Sequence, residues 1–334
     1  MSSPSKCSVC SIPTRSFSYG VHSCNPCSSF FRRALFSSFP KLCEHNQKCD
    51  DFRQKRTSGC RFCRFQKCLS AGMSPDPSFE FKLSPAKFEF LARTLEKLSV
   101  FDASRNAHFG RFQVKNAEKI TLDDVIASRK PTKFTRKTRE FSFYEWAFQA
   151  QLTTIDFMKT FDFVERLSDD DVFRFVKTSY FECSIFATAW RSMPIGRMLF
   201  PEHVDVFPEG SAESPFLEMV RRRLVARMLE LHVSAREFLL LSAFLVSNPT
   251  ISDLSEEARN AIGNSRNAFG DALLQHCLLV HQHSGAARFA DLLSLCHVIG
   301  ATVEHIRHFT FHFQLAEPGS EEHLGRLFVA DDRI

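Results

Sequence analysis

Most of the thiol chemistry of this chain lies near its amino terminus. Nine of the twelve cysteines fall within the first 68 residues, and eight of them form two sets of four. The first set reads Cys-x2-Cys, thirteen residues, Cys-x2-Cys, and the second reads Cys-x5-Cys, ten residues, Cys-x2-Cys. Four thiolates at such spacing surround Zn²⁺ tetrahedrally and leave no coordination position open, which is typical of structural zinc. The predicted ligands of two structural zinc ions are Cys7, Cys10, Cys24, Cys27, Cys43, Cys49, Cys60 and Cys63.

Disulfide formation is the competing interpretation of these thiols. The start "MSSPSKCSVC" lacks the apolar region of a secretory signal, and we expect no membrane span, which needs ~18 apolar residues. Without a route to an oxidising compartment, clustered thiols are expected to bind metal. Cys68, the ninth cysteine, either replaces one ligand or is a small buried apolar side chain.

Charge divides the chain in the same way as the cysteines. Residues 1–77 carry 12 Lys/Arg and 4 Asp/Glu, net +8, whereas residues 78–334 carry 31 and 34, net −3. A basic amino-terminal segment followed by a mildly acidic remainder indicates that the amino-terminal segment binds a polyanion.

The stretch "CNPCSSFFRR" at 24–33 has two different faces when it is drawn as a helix. Cysteines, aromatic rings and small apolar residues share one side: Cys24, Cys27, Phe30, Phe31, Ala34 and Leu35. Asn25, Ser29, Arg32, Arg33 and Phe36 share the other, with Ser28 at the flank. Amide, hydroxyl and guanidinium groups suit base edges and phosphates in a major groove. A merely solvated face is the alternative, and the net charge of +8 favours nucleic acid.

A second basic face follows the second cysteine set. Arg61, Arg64 and Lys67 recur every three residues, while Phe62, Phe65 and Leu69 are expected to pack on another side, and Gly72 is the predicted helix C-cap. We interpret the basic residues, with Arg53, Lys55 and Arg56, as contacts to a nucleic-acid backbone.

The remainder of the chain is predicted to be mainly α-helical. Two prolines in "SPDPS" (74–78) place the first boundary, and Ser84 with Pro85 begins a helix. Ser168 with Asp171 caps a long amphipathic helix, and residues 215–315 read as three or four more helices. A small hairpin is expected near 194–210. The basic stretch 128–140 is either a solvated loop or a nuclear-import signal.

These residues resemble one family. "YGVHSCNPCSSFFRRALF" and "CRFCRFQKCLSAGM" are similar to the two-zinc DNA-binding domain of nuclear hormone receptors, over residues 7–73. The "CNPC" and "SSFF" variations resemble the large divergent group found in nematodes. The resemblance implies that residues 44–48 lie in a loop used for dimer contacts, with a second copy or with another receptor. It implies base reading by Asn25, Ser28 and Ser29, and phosphate contacts by Tyr19, His22, Arg32, Arg33, Arg53 and Arg56.

The second part, residues 85–334, resembles the ligand-binding domain of the same family, a helical sandwich. "FMKTFDFVERLSDDDVFRFVK" is similar to its signature segment. The resemblance implies that Lys159 holds one end of a coregulator helix and that Arg191 anchors a ligand. Alternatives are an ordinary exposed lysine, and an ion pair of Arg191 with Glu182 or another acid. Leu327 and Phe328 fall in the segment that resembles the activation helix.

The sequence therefore predicts a nuclear, sequence-specific DNA-binding transcription factor in three parts: residues 1–77, a hinge at 78–84, and residues 85–334. Its expected partners are double-stranded DNA, coregulators and a small apolar ligand. One alternative is a ligand-free interaction domain filled by its own Phe side chains, and another is a zinc module for protein or RNA contact. No enzyme is expected, because none of the thirteen His pairs with a nucleophile or with Glu-x-x-His spacing.

Overall fold

A computed structural model describes residues 5–35, 43, 49, 60–74, 83–114, 120–208, 211 and 214–316. The chain divides into two compact units, Met1–Phe81 and Lys82–Ile334, each with its own hydrophobic core. Five predicted site residues, Arg53, Lys55, Arg56, Leu327 and Phe328, lie outside the described residues, as does the loop 44–48.

The described residues of the first unit form two small hairpins and two helices. Strands β1 (Ser5–Lys6) and β2 (Pro13–Thr14) pair antiparallel, as do β3 (Phe17–Ser18) and β4 (Val21–His22). The β3–β4 turn is Tyr19-Gly20, both with positive φ (58° and 83°), as the tight turns that match strand twist require. Helices α1 (Asn25–Leu35) and α2 (Arg61–Ser70) pack together around Phe31, which is fully buried.

Helix α2 ends at the predicted glycine. Gly72 has φ 88°, its N–H donates to Leu69 O, and the N–H of Met73 donates to Cys68 O. This pattern satisfies the last carbonyls of the helix and needs a left-handed residue, so the prediction is confirmed. The predicted packing of Leu69 is wrong: it is 42% exposed, and Cys68 fills the core instead.

The second unit is a helical sandwich, as predicted. Its described helices are α3 (Pro85–Arg111), α4 (Leu122–Ala127), α5 (Phe143–Lys159), α6 (Asp169–Arg191), α7 (Pro215–Glu230), α8 (Ala235–Val246), α9 (Glu256–His281) and α10 (Gly285–Ala316). The predicted caps form, because the Ser84 hydroxyl accepts from the N–H of Lys87 and the Ser168 hydroxyl from that of Asp171. Helices α5 and α6 lie in the middle of the core, where Trp146 and Phe175 are fully buried.

The strands of the second unit are not where the sequence pattern placed them. Where a hairpin was expected at 194–210, the described residues 194–208 contain an isolated antiparallel bridge, Leu199 to Asp205, around a 3₁₀ turn at Pro201–His203. An antiparallel pair of strands forms instead between β5 (Phe112–Val114) and β6 (Phe134–Arg136), and β6 lies in the basic stretch 128–140 that was expected to be a loop. The apolar residues that hold it, Val114 and Phe134, are separated by a long connection, so no local alternation marked the pairing.

By length and composition alone, the helical stretch Glu256–Phe313 is apolar enough to cross a membrane. A core helix of a soluble protein passes the same test, so this is weak evidence. In this fold α9 and α10 pack against each other and against α7 and α8.

Candidate nucleic-acid interface and ligand cavity

The eight predicted zinc ligands form two groups in the first unit. Within each group the four Sγ atoms lie within 4.8 Å of one another. The Sγ–Sγ distances are 3.5 Å for Cys10–Cys24 and 3.7 Å for Cys43–Cys49. A tetrahedron with Zn–S bonds of about 2.3 Å has S–S edges of about 3.8 Å. Both donor sets therefore fit Zn²⁺, which would crosslink the start of α1 to the β1–β2 hairpin and the start of α2 to Cys43 and Cys49.

The electrostatics of the first group also fit a cation. Burial would raise the pKa of Cys7, but backbone N–H groups of Cys24, Cys10 and Val9 outweigh it and lower the pKa to about 6. Burial raises the pKa of Cys27, and the adjacent Cys24 and Cys10 raise it further. Thiolates this close repel one another, and a divalent cation offsets that repulsion.

Cys68 does not belong to either group. Its side chain has no exposed surface and lies in the core with Phe31 and Met73, and burial raises its pKa to about 11. The apolar interpretation of Cys68 matches this geometry, because a neutral thiol is favoured here.

Helix α1 separates the two faces that its sequence indicated. Cys24, Cys27, Phe30, Phe31 and Ala34 are buried. The opposite face has Asn25, Arg32 and Arg33 exposed and Ser28 and Ser29 partly exposed. The Ser28 hydroxyl donates to Asn25 O at 3.2 Å, so one polar side chain is held along the helix. The cysteines and aromatic rings thus anchor one face of α1, and its polar side chains lie on the opposite, solvent-facing side.

The remaining predicted DNA contacts of the first unit have mixed environments. His22 is exposed, whereas Tyr19 packs its ring edge on Phe31 at 5.1 Å. Arg61 is exposed and Lys67 partly so. Arg64 instead holds the two helices together: its guanidinium lies 4.3 Å from the Phe30 ring centroid and donates to Pro26 O at 3.3 Å. Arg64 of α2 therefore helps to hold α1 in position.

The second unit contains an apolar cavity between α5, α6, the 198–208 segment and α10. Its volume is about 50 Å³, counted as space for the centre of a water molecule. That is room for a few waters and less than the roughly 300–1,000 Å³ of ligand pockets. Six phenylalanines take up the surrounding space: Phe143, Phe181, Phe200, Phe207, Phe309 and Phe313.

Gln151 is the polar feature of this cavity. It is 4% exposed, lines the cavity from α5, and its Oε1 accepts no hydrogen bond from any residue that the structure describes. The hydroxyl of Thr188, which also lines the cavity, donates its hydrogen bond to Ser184 O at 2.9 Å. A buried acceptor left unpaired costs about 1–3 kcal/mol. Sequence reasoning missed Gln151, although a glutamine between apolar residues on a helix was the available signal.

Arg191 lies apart from the residues that line the cavity. Its Nε donates to Asn106 Oδ1 at 2.8 Å, and its guanidinium lies 4.1 Å from the Phe109 ring centroid. Both terminal nitrogens are buried and have no partner among the described residues. Burial, with a contribution from nearby Arg105, lowers the pKa of Arg191 to about 9. The alternative ion pair with Glu182 does not form in this structure.

Lys159 is not an ordinary exposed lysine. Its Nζ donates to Val125 O and, at 2.6 Å, to Ser128 O, at the carboxyl end of α4. Burial lowers its pKa, opposed by the charge of Asp156.

The chain was compared with known proteins. The family model described as "Double treble clef zinc finger, C4 type" matches residues 5–75, and "Ligand-binding domain of nuclear hormone receptor" matches residues 128–316. Nuclear hormone receptor family member nhr-9 of Caenorhabditis elegans is 36% identical over 95% of this chain and 93% of its own. For member nhr-27 of the same organism the values are 35%, 94% and 89%. The ligand-binding domain of Ultraspiracle from Drosophila melanogaster aligns in structure with 70% of this chain and 97% of its own, at 19% identity and TM-score 0.49.

Two cysteine groups that fit zinc, the helical second unit, the two family models, and the matches to nhr-9 and nhr-27 over nearly the whole chain agree. The chain belongs to the nuclear hormone receptor family, with a two-zinc DNA-binding domain and a ligand-binding domain.

Proposed function

We propose that this receptor reads a specific duplex DNA sequence through the exposed face of α1. The observation that carries the proposal is that one helix buries a face of cysteines and phenylalanines and presents amide, hydroxyl and guanidinium groups on the opposite face. Asn25, Ser28 and Ser29 are assigned to base edges, and Arg32 and Arg33 to phosphates. Tyr19, His22, Arg61 and Lys67, with Arg53 and Arg56, are assigned to the DNA backbone.

Selection of bound duplexes from a random pool, with the full zinc-loaded protein, tests this proposal. We expect one enriched motif, and its symmetry and spacing will report whether one copy or a dimer binds. A competition at fixed salt between duplex DNA, single-stranded DNA and RNA distinguishes a duplex-DNA reader from a zinc module that binds RNA. Preference for RNA or for single strands would contradict the proposal.

For the second unit we propose a small, mainly apolar ligand with one hydrogen-bond donor, such as a hydroxyl. The apolar cavity walls and the unpaired Oε1 of Gln151 support this ligand class. Because the cavity is about 50 Å³, such a ligand must either be very small or turn the phenylalanine rings aside. Arg191, with two unpaired nitrogens, is a second candidate anchor, for an acidic group reaching the α3 side.

The small volume also supports the other candidate, a ligand-free domain filled by its own phenylalanines. Native mass spectrometry of the purified full chain distinguishes the two. A bound apolar molecule that is retained by the wild type and lost from Ala147→Phe supports ligand binding, because that change fills the cavity from α5. Absence of any adduct from the wild type, with lower thermal stability of Ala147→Phe because the added ring overpacks a space that is already filled, supports the ligand-free domain.

Members of this family generally act as non-enzymatic transcription factors, and we propose the same role for this chain. We assign coregulator binding to Lys159, with Leu327 and Phe328 on the carboxyl-terminal segment, and we assign the protein to the nucleus. Imaging of a fluorescent fusion tests the location, and pairing with a second copy or another receptor is tested by mass photometry with and without DNA.

A further inference from the structure

Helix α4 is a short amphipathic helix bound along one side of the second unit. Leu122, Val125 and Ile126 are 2%, 6% and 1% exposed, while Asp124 and Ala127 face outward. The buried residues stand at i, i+3 and i+4, so one narrow stripe faces α5 and α6, against which α4 packs. A capping box of Thr121 and Asp124 begins the helix.

Lys159 holds the other end of α4. Its ammonium donates to Val125 O and Ser128 O, two carbonyls at or just past the helix end. The last carbonyls of a helix have no partners within it and carry partial negative charge, so a fixed cation there recognises a helix end rather than a particular side chain.

The residues after α4 are fixed to the same surface. Arg129 donates to Leu167 O at 2.6 Å and to Val164 O at 3.4 Å, and the Thr132 hydroxyl donates to Asp156 Oδ1 at 3.0 Å. The α4 groove is thus formed by the carboxyl half of α5, the 3₁₀ turn Asp162–Arg166 and the start of α6.

These contacts describe a receptor for a helix. An apolar groove selects the i, i+3, i+4 stripe, and Lys159 selects where the helix ends. Helix α4 has six residues, far fewer than the ~12–15 that an isolated helix needs, so the groove holds it in shape. An occupant that depends on the groove can be exchanged for another helix of the same pattern.

We propose that the α4 groove is the coregulator-binding surface of this receptor and that α4 is an internal occupant, which a coregulator helix with the same apolar spacing must displace. This rests on the coregulator role proposed for Lys159 and adds autoinhibition to it. Basal recruitment is low while α4 is bound, and any event that loosens residues 120–132 raises it.

The test uses full-length zinc-loaded protein and a labelled 15-residue peptide. Its sequence is that of residues 117–131 with leucine at position 125, so that its fragments that contain this position differ in mass from those of the protein. The variant Ile126→Asp removes α4 from its groove, and Ala127→Asp adds the same charge on the outward face as a matched control. If α4 occupies the groove nine-tenths of the time, its removal raises apparent peptide affinity about tenfold.

We expect I126D to bind the peptide about ten times more tightly than wild type, A127D to bind like wild type, and I126D with Lys159→Ala to lose the gain. Equal affinity of I126D and A127D would overturn the proposal. Hydrogen exchange on wild type is independent of variant folding: saturating peptide must speed exchange in residues 122–128, and unchanged protection would also overturn it. Affinity for DNA, measured on the same samples, reports the first unit separately.

Discussion

Asp171 and Ser255, 84 residues apart, are joined by two hydrogen bonds. Asp171 Oδ1 accepts from the N–H of Ser255 at 2.9 Å, and Oδ2 accepts from its hydroxyl at 2.8 Å. The same carboxylate accepts from the hydroxyl of Ser168, the N-cap of α6, at 2.7 Å, while the hydroxyl of Ser255 caps α9. One buried carboxylate therefore ties together the first turns of two helices.

Replacing Asp171 by Asn should destabilise the second unit. Burial would raise the pKa of Asp171, but its hydrogen bonds to Ser255 and Ser168 outweigh this and lower it, so the charged form is the one bound. Hydrogen bonds to a charged group contribute about 1.5–3 kcal/mol, and we expect the free energy of unfolding to fall by about 2–3 kcal/mol. Both tryptophans, Trp146 and Trp190, lie in this unit, so their fluorescence in urea follows its unfolding alone. Asp170→Asn, on the exposed side of the same turn, is the control, and an equal loss there would contradict the role of Asp171.

The Glu237–Arg288 pair predicts a specific acid sensitivity. Arg288 Nε lies 2.6 Å from Glu237 Oε1, and Nη2 lies 2.8 Å from Oε2. Burial alone would raise the pKa of Glu237, but Arg288 and Ser234 lower it to about 2. A carboxyl whose folded pKa is below its unfolded value of 4.5 stabilises above that value and loses its contribution as the pH falls towards 2.

The difference between the folded and unfolded pKa of Glu237 corresponds to about 3 kcal/mol of stability at neutral pH. Solvent screens this interaction little, because Glu237 is 2% exposed. We expect Glu237→Gln to unfold more easily than wild type at pH 7 and the gap to shrink below about pH 4.5. Tryptophan fluorescence in urea at pH 7, 5, 4 and 3 measures it. A gap that is constant with pH would show that the pair contributes packing and not charge.

Local patterns predicted the parts of this protein that local chemistry determines. The cysteine spacing identified both metal groups, and the caps at Ser84 and Ser168 were evident because a hydroxyl and its acceptor helix are adjacent in sequence. Ser255 as the partner of Asp171 was not predictable, since nothing near either residue encodes a contact across 84 positions.

The β5–β6 pairing and the contacts of Arg64 were not predictable for the same reason, because both depend on residues that are distant in sequence. Strand β6 is basic and short, and it pairs because β5 lies beside it, not because its own pattern alternates. The spacing of Arg64 suited a DNA contact, but its position over Phe30 depends on how α1 and α2 pack.

Loss of a zinc ligand should impair the first unit and leave the stability of the second unit unchanged. Cys60 is both a ligand of the second group and the N-cap of α2, its Sγ accepting from the N–H of Cys63 at 3.5 Å. Cys60→Ser should therefore leave one zinc ion by native mass spectrometry and abolish DNA binding, because structural zinc supplies folding energy. Cys68→Ala removes a thiol of the same unit without removing a ligand and should keep two ions. The tryptophan unfolding curve should not change in either variant, and loss of an ion from Cys68→Ala would reopen its role as a ligand.

Arginine substitutions on α1 test which face touches DNA. Arg32 and Arg33 are adjacent and exposed, and each phosphate contact contributes about 0.9 to the slope of log K against log salt. Replacing both by Ala should weaken binding to every duplex by a similar factor and reduce that slope by about 2. Arg222→Ala with Arg223→Ala removes the same charge from neighbouring positions on α7 and should leave the slope unchanged.

Asn25→Ala should instead change which DNA sequence is preferred while the slope stays the same, because a base contact carries sequence information that a phosphate contact does not. A uniform loss for Asn25→Ala, or an unchanged slope without Arg32 and Arg33, would move the DNA-contacting surface away from this face of α1.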